Sequence, residues 1–204
     1  MDTQAGPNPF ASIFGRGARS FDIYSLLLWK RIIFLGTPID DHVANNVIGQ
    51  LLFLQHENPS EEIRLFINSP GGLVASGLAI YDATRNITCD VSTICVGMAA
   101  GVSAIILAGG RPGHRFAYPN SRVMLTKGSV SLGSSGTDFE TQLRESTEVT
   151  ATVTAIISEL SGQPFERIDR DTDHDFYLSA DEALAYGLVD AVLHSTKAHF
   201  SPPE

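Results

Sequence analysis

The alternation of apolar and polar positions predicts several strands along the chain. In Ile63–Ile67 every second residue is aliphatic, which is typical of a strand with one buried face. Val91–Val96 is rich in β-branched residues, which favours a buried strand. Shorter apolar runs predict further strands at Ile32–Leu35, Arg115–Tyr118, Arg122–Thr126 and Leu188–Leu193.

Apolar residues at helical spacing separate these predicted strands. Asp40 and Asp41 favour the start of a helix that ends near Gln55. Ser179 and Glu182 form a capping box, which predicts a short helix that ends at Gly187. The remaining predicted helices cover residues 73–86, 100–108 and 138–161. Because strands and helices alternate through most of the chain, the pattern predicts the α/β class with a mostly parallel sheet.

The longest predicted helix, 138–161, has one apolar face. Threonines and charged residues occupy its other faces, so the pattern is typical of a helix that packs along a single stripe. The stripe consists of Phe139, Leu143, Val149, Val153, Ile156, Ile157 and Leu160.

The two ends of the chain differ in composition from its centre. Residues 1–20 are rich in Gly, Pro and Ser and lack periodicity, which predicts a flexible N-terminal arm. Within that arm, Phe10, Ile13 and Phe14 are apolar enough to dock on another surface, although a plain tail is equally consistent with them. Residues 128–136 form a polar, glycine-rich stretch, and residues 195–204 form a C-terminal tail. No linker divides residues 21–194, which we interpret as one domain.

Charge and cysteine content narrow the class of protein. The chain has 204 residues and a formal net charge of −9, without a basic cluster, which argues against a nucleic acid or an anionic membrane as partner. No apolar run reaches membrane-spanning length, and the N-terminus lacks the pattern of a secretion signal. Cys89 precedes the predicted strand Val91–Val96 and Cys95 lies within it, so an extended chain holds the two thiols too far apart to bridge. These features predict a soluble cytoplasmic protein.

Two glycine-rich segments each follow a predicted strand and open a predicted helix. They are Ser69–Gly72 and Gly97–Gly101. Paired turns of this kind can direct two backbone amides at one developing oxyanion, although ordinary turn chemistry also explains the glycines. An enzyme of this design places a nucleophile at the second turn, and this chain has Gly101 there.

Several segments carry motifs of one family: Gly17–Phe34, Ile67–Gly72, Tyr81-Asp82, Asp90–Cys95, Gly97–Ala100, Arg115-Phe116, Pro119–Arg122 and Arg170–Asp190. Together they resemble the proteolytic subunit of the Clp protease, the ClpP family, from about residue 17 to residue 194. The resemblance implies an α/β fold of the ClpP/crotonase-like type, a spiral of repeated ββα units. It also implies a protruding handle at about 123–161, and it makes the N-terminal arm part of the axial region.

The resemblance implies a serine peptidase triad, and two of its three positions are changed here. The family's serine position is Gly101, its histidine position is Thr126, and its aspartate is retained as Asp175. A glycine cannot form an acyl intermediate and a threonine cannot act as a general base, so the chain is predicted to be a catalytically silent, ClpR-type member. The oxyanion amides that the resemblance implies are those of Gly72 and Val102.

Two other functions remain as alternatives. An active serine endopeptidase with a rearranged site would have to use Ser103, with His174 or Thr126 as partner, but on a helix Ser103 points about 200° away from Gly101. The related crotonase-like scaffold could act on an acyl thioester, although the turns offer no acidic residue as a base. The sequence shows no metal-ligand spacing, so we expect neither a metal nor a cofactor.

The resemblance also implies partners. The family forms two stacked seven-membered rings, so we expect mixed rings with active ClpP-type subunits in a tetradecamer. That tetradecamer would degrade unfolded proteins together with an AAA+ unfoldase such as ClpX, ClpA or ClpC. Asp173 and His174 occupy the positions of the contact between rings, and Lys127-Gly128 replaces the usual Gln-Pro where substrate binds. Unfoldase docking positions are Arg64, Phe66, Asn86, Ile94, Val96, Phe116, Tyr118 and Leu193; most are apolar, but Arg64 and Asn86 replace bulky apolar side chains.

Overall fold

The structure, a computed structural model, describes residues 23–127 and 139–194. The predicted N-terminal arm, the polar stretch 128–136 and the C-terminal tail lie outside these residues. The helices are α1 (Ile23–Trp29), α2 (Asp41–Glu57), α3 (Val74–Asn86), α4 (Val102–Ala108), α5 (Phe139–Ser161), α6 (Phe165–Asp171) and α7 (Ala180–Tyr186). The strands are β1 (Ile32–Leu35), β2 (Ile63–Ser69), β3 (Val91–Ala100), β4 (Arg115–Ala117), β5 (Arg122–Leu125), β6 (Phe176–Ser179) and β7 (Ala191–Val192).

All seven described strands belong to one mixed sheet. The order β1-β2-β3-β4-β7 is parallel throughout, β5 pairs in parallel with β3, and β6 pairs antiparallel with β5. Helices α2, α3 and α4 pack against one another over the buried face of the sheet, and every residue of α4 is buried. The predicted α/β class and the mostly parallel sheet are confirmed.

The prediction of a turn at Gly97–Gly101 is wrong, because β3 continues through this segment to Ala100. A β-bulge interrupts its pairing with β2: Ile67 lies opposite Cys95, but Ser69 lies opposite Ala99. Gly97 has a φ of +92°, and a Cβ there would lie 2.7 Å from Asn68 Oδ1, so only glycine fits. The strand continues through the bulge and changes direction there. In the sequence, the glycine that the bulge requires has the same appearance as a turn residue.

Three short elements had no signal in the sequence pattern. Helix α1 is apolar almost throughout its length and α6 buries only Ile168, so neither helix shows one apolar stripe beside polar faces. Strand β6 was not predicted either, and it forms by pairing with β5. The last predicted strand is shorter than expected, because Leu188 N donates to Ala183 O in the C-terminal cap of α7.

Arg31 joins the start of β1 to the end of α2. Its backbone has a φ of +58°, and its buried guanidinium donates to the carbonyl oxygens of Leu54, Asn58, Glu61 and Glu62 at 2.7–3.2 Å. A cation at the C-terminal end of a helix satisfies carbonyls that have no partner within the helix.

A bidentate ion pair fixes the opposite side of the sheet. Asp190 Oδ1 and Oδ2 lie 2.6 and 3.0 Å from Arg115 Nη2 and Nε, and Gly113 N donates to the same carboxylate at 2.8 Å. Burial alone would raise the pKa of Asp190, but the hydrogen bonds from Arg115 and Gly113 outweigh it and hold the pKa below its usual value. Arg115 also donates to Leu160 O, so the pair connects β4 to the last turn of α5.

We expect Asp190→Asn to lower the free energy of unfolding by about 2 kcal/mol at neutral pH, because the Arg115 guanidinium loses a charged partner. A carboxyl whose folded pKa is depressed contributes stability above its ordinary pKa of about 3.9, and this is lost as the pH falls through the lower folded value. Urea unfolding at several pH values should therefore show the difference between the native chain and the variant narrowing below about pH 4. Asp82→Asn, at an exposed carboxylate, is the matched control. An equal loss at pH 3 and pH 7 would contradict the ion-pair explanation.

Candidate active site

Gly101 and Thr126 lie side by side at the ends of two paired strands. Gly101 follows β3 and precedes α4, with φ +55° and ψ −126°, and its amide donates to Met124 O at 2.9 Å. A Cβ placed on Gly101 would have one neighbour within 4 Å, Thr126 Cγ2 at 3.7 Å. The position therefore has room for a small side chain, in the strained backbone conformation that a strand-to-helix elbow gives to a nucleophile.

Asp175 lies next to Thr126 along the same sheet. The antiparallel pairing of β5 and β6 ends with Leu125 opposite Phe176, so the next pair in this register is Thr126 and Asp175. Asp175 is exposed, and among the described residues its carboxylate has no recorded hydrogen bond or ion pair. The fold thus brings together the three positions that the sequence assigned to the triad.

Two backbone amides near Gly101 have no acceptor among the residues that the structure describes: those of Gly72 and Val102. The segment before α3 is fixed by Ile39, whose amide donates to Gly71 O and whose carbonyl accepts from Leu73 N. This pairing leaves the Gly72 amide out of the bridge. A Cβ on Gly71 would lie 3.5 Å from Val102 N, so the two segments are in contact. Adjacent unpaired donors are what oxyanion stabilisation needs.

Ser103 is a structural residue of this site. Its side chain is fully buried, and its hydroxyl oxygen accepts a hydrogen bond from Ala100 N at 2.8 Å. The same hydroxyl can donate its proton to Ser69 O or Ala100 O, which lie 2.9 and 2.8 Å from the hydroxyl oxygen. The hydroxyl therefore ties the end of β2 to the end of β3. Backbone groups therefore occupy the Ser103 hydroxyl, while the side chain of His174, its proposed partner, is exposed.

Lys127 is a charged residue beside the site whose contacts the sequence reasoning missed. Its Nζ lies 2.5 Å from Asp173 Oδ1 and 2.9 Å from Asp169 Oδ1, so it connects the end of β5 to α6 and to the loop before β6. The hydrogen bond to Asp173 raises the pKa of Lys127, and the same bond lowers the pKa of Asp173. Asp173, predicted to contact another ring, is therefore bound within its own chain. No signal could have shown this, since the helix that holds Asp169 was not predicted.

Four of the predicted docking positions share one face of the sheet. Phe66, Ile94 and Phe116 lie opposite one another on β2, β3 and β4, and Val96 follows two residues after Ile94 on the same face. In the same register Phe34 extends this row onto β1. We call Phe34, Phe66, Ile94 and Phe116 the apolar row.

The remaining predicted docking positions lie beside the apolar row or on another element. Tyr118 and Leu193, at the ends of β4 and β7, are exposed. Arg64 is exposed on β2, on the side of the apolar row, and its Nη2 donates to Lys30 O at 3.3 Å. Asn86 is the last residue of α3, and its side-chain amide donates to Asp82 O of the same helix. It is therefore not part of the apolar row.

Where the resemblance implies a nucleophile and a base, the chain has Gly101, which carries no hydroxyl, and Thr126, whose hydroxyl has no useful basicity near neutral pH. Within the described ranges, no three His, Cys, Asp or Glu side chains cluster as metal ligands would. No helix in these ranges is long and apolar enough to cross a bilayer.

Comparison with known protein families gives one match over most of the chain. The family model described as Clp protease matches residues 15–196. The matched region includes all three triad positions, the two unpaired amides and the apolar row.

We expect Ser103→Ala to lower the free energy of unfolding by about 1–3 kcal/mol, because the Ala100 amide and a buried carbonyl lose their partner. Chemical denaturation measures this, with Ser25→Ala on exposed α1 as control. A fluorophosphonate should label neither the native chain nor the variant. Labelling that disappears in Ser103→Ala would show instead that Ser103 is a nucleophile.

Proposed function

The chain belongs to the Clp protease family, and from this we propose that it is a catalytically silent, ClpR-type subunit of a ClpP-like proteolytic core. The observation that supports the proposal is that a Cβ on Gly101 would lie 3.7 Å from Thr126 Cγ2, so the two residues proposed to replace the nucleophile and the base lie side by side. In this role the subunit forms mixed heptameric rings with active ClpP-type subunits and takes part in ATP-dependent protein degradation.

The groups that maintain the shape of the site are distinct from the groups that would react. Ser103 is fully buried and hydrogen-bonded, whereas Gly101 and Thr126 are only half-buried. Loss of one triad member removes most of a serine peptidase's rate, and loss of both nucleophile and base removes the covalent route. The remaining amides give at most weak catalysis, which supports an architectural role.

Helix α5 supports assembly through a handle. It has 23 residues, and no side chain between Glu140 and Thr152 is buried, whereas Val153 and Ile157 are buried. At about 1.5 Å per residue, the half without buried side chains is roughly 20 Å long. A segment of this length that exposes Leu143 is suited to packing against another subunit.

The apolar row supports docking of an AAA+ unfoldase. Phe34, Phe66 and Phe116 are at least partly exposed and Ile94 is buried between them, so the row offers an apolar surface for a loop of a partner. Arg64 changes that surface, because burying its guanidinium under an apolar loop costs desolvation unless an acid pairs with it. Docking on this subunit is therefore proposed to be weaker than on an active partner.

The two cysteines support a cytoplasmic location. Both Cys89 and Cys95 are buried and free. Burial raises the pKa of Cys95 to about 11, so its thiol is unreactive at neutral pH. Unpaired buried thiols are typical of proteins in reducing compartments.

We expect Gly101→Ser and Thr126→His together to restore hydrolysis of a fluorogenic peptide, in an assembly with the active partner's own serine removed. The rate should exceed that of either single variant by about a hundredfold or more, since nucleophile and base act as one unit. Asp175→Asn in the double variant should remove most of the gain. Activity in either single variant, or in the native chain with a peptide or an acyl thioester, would contradict the silent site.

We expect Arg64→Tyr to strengthen binding of the unfoldase to assemblies that contain this chain, because an aromatic side chain extends the apolar row without a desolvation cost. Removal of one charge that docking would bury predicts a roughly tenfold lower Kd, measurable by biolayer interferometry at a fixed concentration of an ATP analogue. Arg85→Tyr, at an exposed arginine of α3, is the matched control. No gain for Arg64→Tyr over this control would refute the docking surface.

A further inference from the structure

A groove of about 360 Å³ lies between β1 and α2. Its aromatic wall consists of Tyr24 and Phe34, with ring centroids 6.3 Å apart. Its polar wall is a row at helical spacing on α2, His42, Asn46 and Gln50. One apolar wall and one wall of hydrogen-bonding side chains make the groove suitable for a peptide rather than for a purely apolar ligand.

The groove follows the free edge of the sheet. Among the strands that the structure describes, β1 pairs with β2 alone. Arg64 N donates to Arg31 O, so Arg31 and every second residue after it direct their backbone N–H and C=O groups at β2. The N–H and C=O groups of Ile32 and Phe34 therefore point to the open side, where the described part of the chain offers them no partner. Both Phe34 and the core residue Leu35, from opposite faces of β1, line the groove, which places it along this edge.

The chain itself has a segment of suitable composition close to this edge. Twenty-two residues precede Ile23, and Tyr24, the next residue, is part of the groove wall. Among residues 1–20 the aromatic residues are Phe10 and Phe14, within the sequence Pro-Phe-Ala-Ser-Ile-Phe. In an extended segment these two rings project to the same side. Proline at the first position is compatible with an edge strand.

We propose that Pro9–Phe14 of the same chain adds as a strand to the free edge of β1 and packs Phe10 and Phe14 against Tyr24 and Phe34. The eight residues between Phe14 and Ile23 span up to roughly 26–29 Å, which is enough to return along the groove. Because the segment is tethered, its effective concentration at the groove is in the millimolar range. Occupancy would also protect an exposed strand edge from pairing with other chains.

Hydrogen–deuterium exchange of the full chain tests this proposal. We expect the amides of Ile32 and Phe34 to be protected, and to exchange about threefold to tenfold faster in the double variant Phe10→Ser/Phe14→Ser, the range expected for one net hydrogen bond. Thr3→Ala, outside the segment, is the control. Exchange at Leu65, in the core strand β2, should stay unchanged, which separates release of the edge from global unfolding.

A photoreactive phenylalanine analogue at position 10 of the otherwise native chain provides a second readout that does not depend on the variants folding. The expected product is a cross-link within one chain to a peptide from residues 23–50. Cross-links between two chains would show that a second copy or another subunit covers the groove, and would overturn the proposal. Cross-links elsewhere, or equal exchange in the double variant and the control, would overturn it as well. Neither experiment depends on whether the candidate active site is silent.

Discussion

The bulge in β3 is the constraint on which the rest of the structure depends. Before the bulge, Thr93–Cys95 pairs with β4; after it, Met98–Ala100 pairs with β5. The side chain of Asn68 fixes the change of direction, since its oxygen accepts from Met98 N at 3.2 Å. One strand can therefore serve both the central sheet and the β5–β6 pair, and its end delivers Gly101 to Thr126. The candidate site exists at the junction of these two pairings.

The parts of the fold that could be predicted are those with a local cause. Asp40 caps α2 through the Val43 amide and Ser179 forms its capping box with Glu182, and both signals are complete within four residues of sequence. Gly97 has the appearance of a turn residue in the sequence, but the side chain that requires a glycine there is that of Asn68, on another strand. Lys127 was out of reach for the same reason, as its carboxylate partners lie more than forty residues away. Contacts between residues distant in sequence determine these features, and the local pattern of apolar and polar residues does not show them.

The structure separates stability from chemistry within one site. The contacts of Ser103 hold the ends of β2 and β3 together, and Ile39 holds the segment with Gly72, so both are parts of the fold. Gly101 and Thr126, by contrast, contribute few contacts of their own. Reactive side chains can therefore be exchanged at Gly101 and Thr126 while the surrounding shell persists. For this reason the geometry of a catalytic site is weak support for activity unless the reacting atoms are present.

Arg31 has a consequence for how the protein opens. An edge strand of four residues would ordinarily fray first, since it has hydrogen bonds on one side only. Here one guanidinium connects the residue before that strand to the last turn of α2 and to the loop that follows, and it contacts the Cys89 thiol as well. Releasing the strand therefore means giving up all of these contacts at the same time. We therefore expect the N-terminal edge to open as one cooperative unit, because opening it requires the release of a single buried cation.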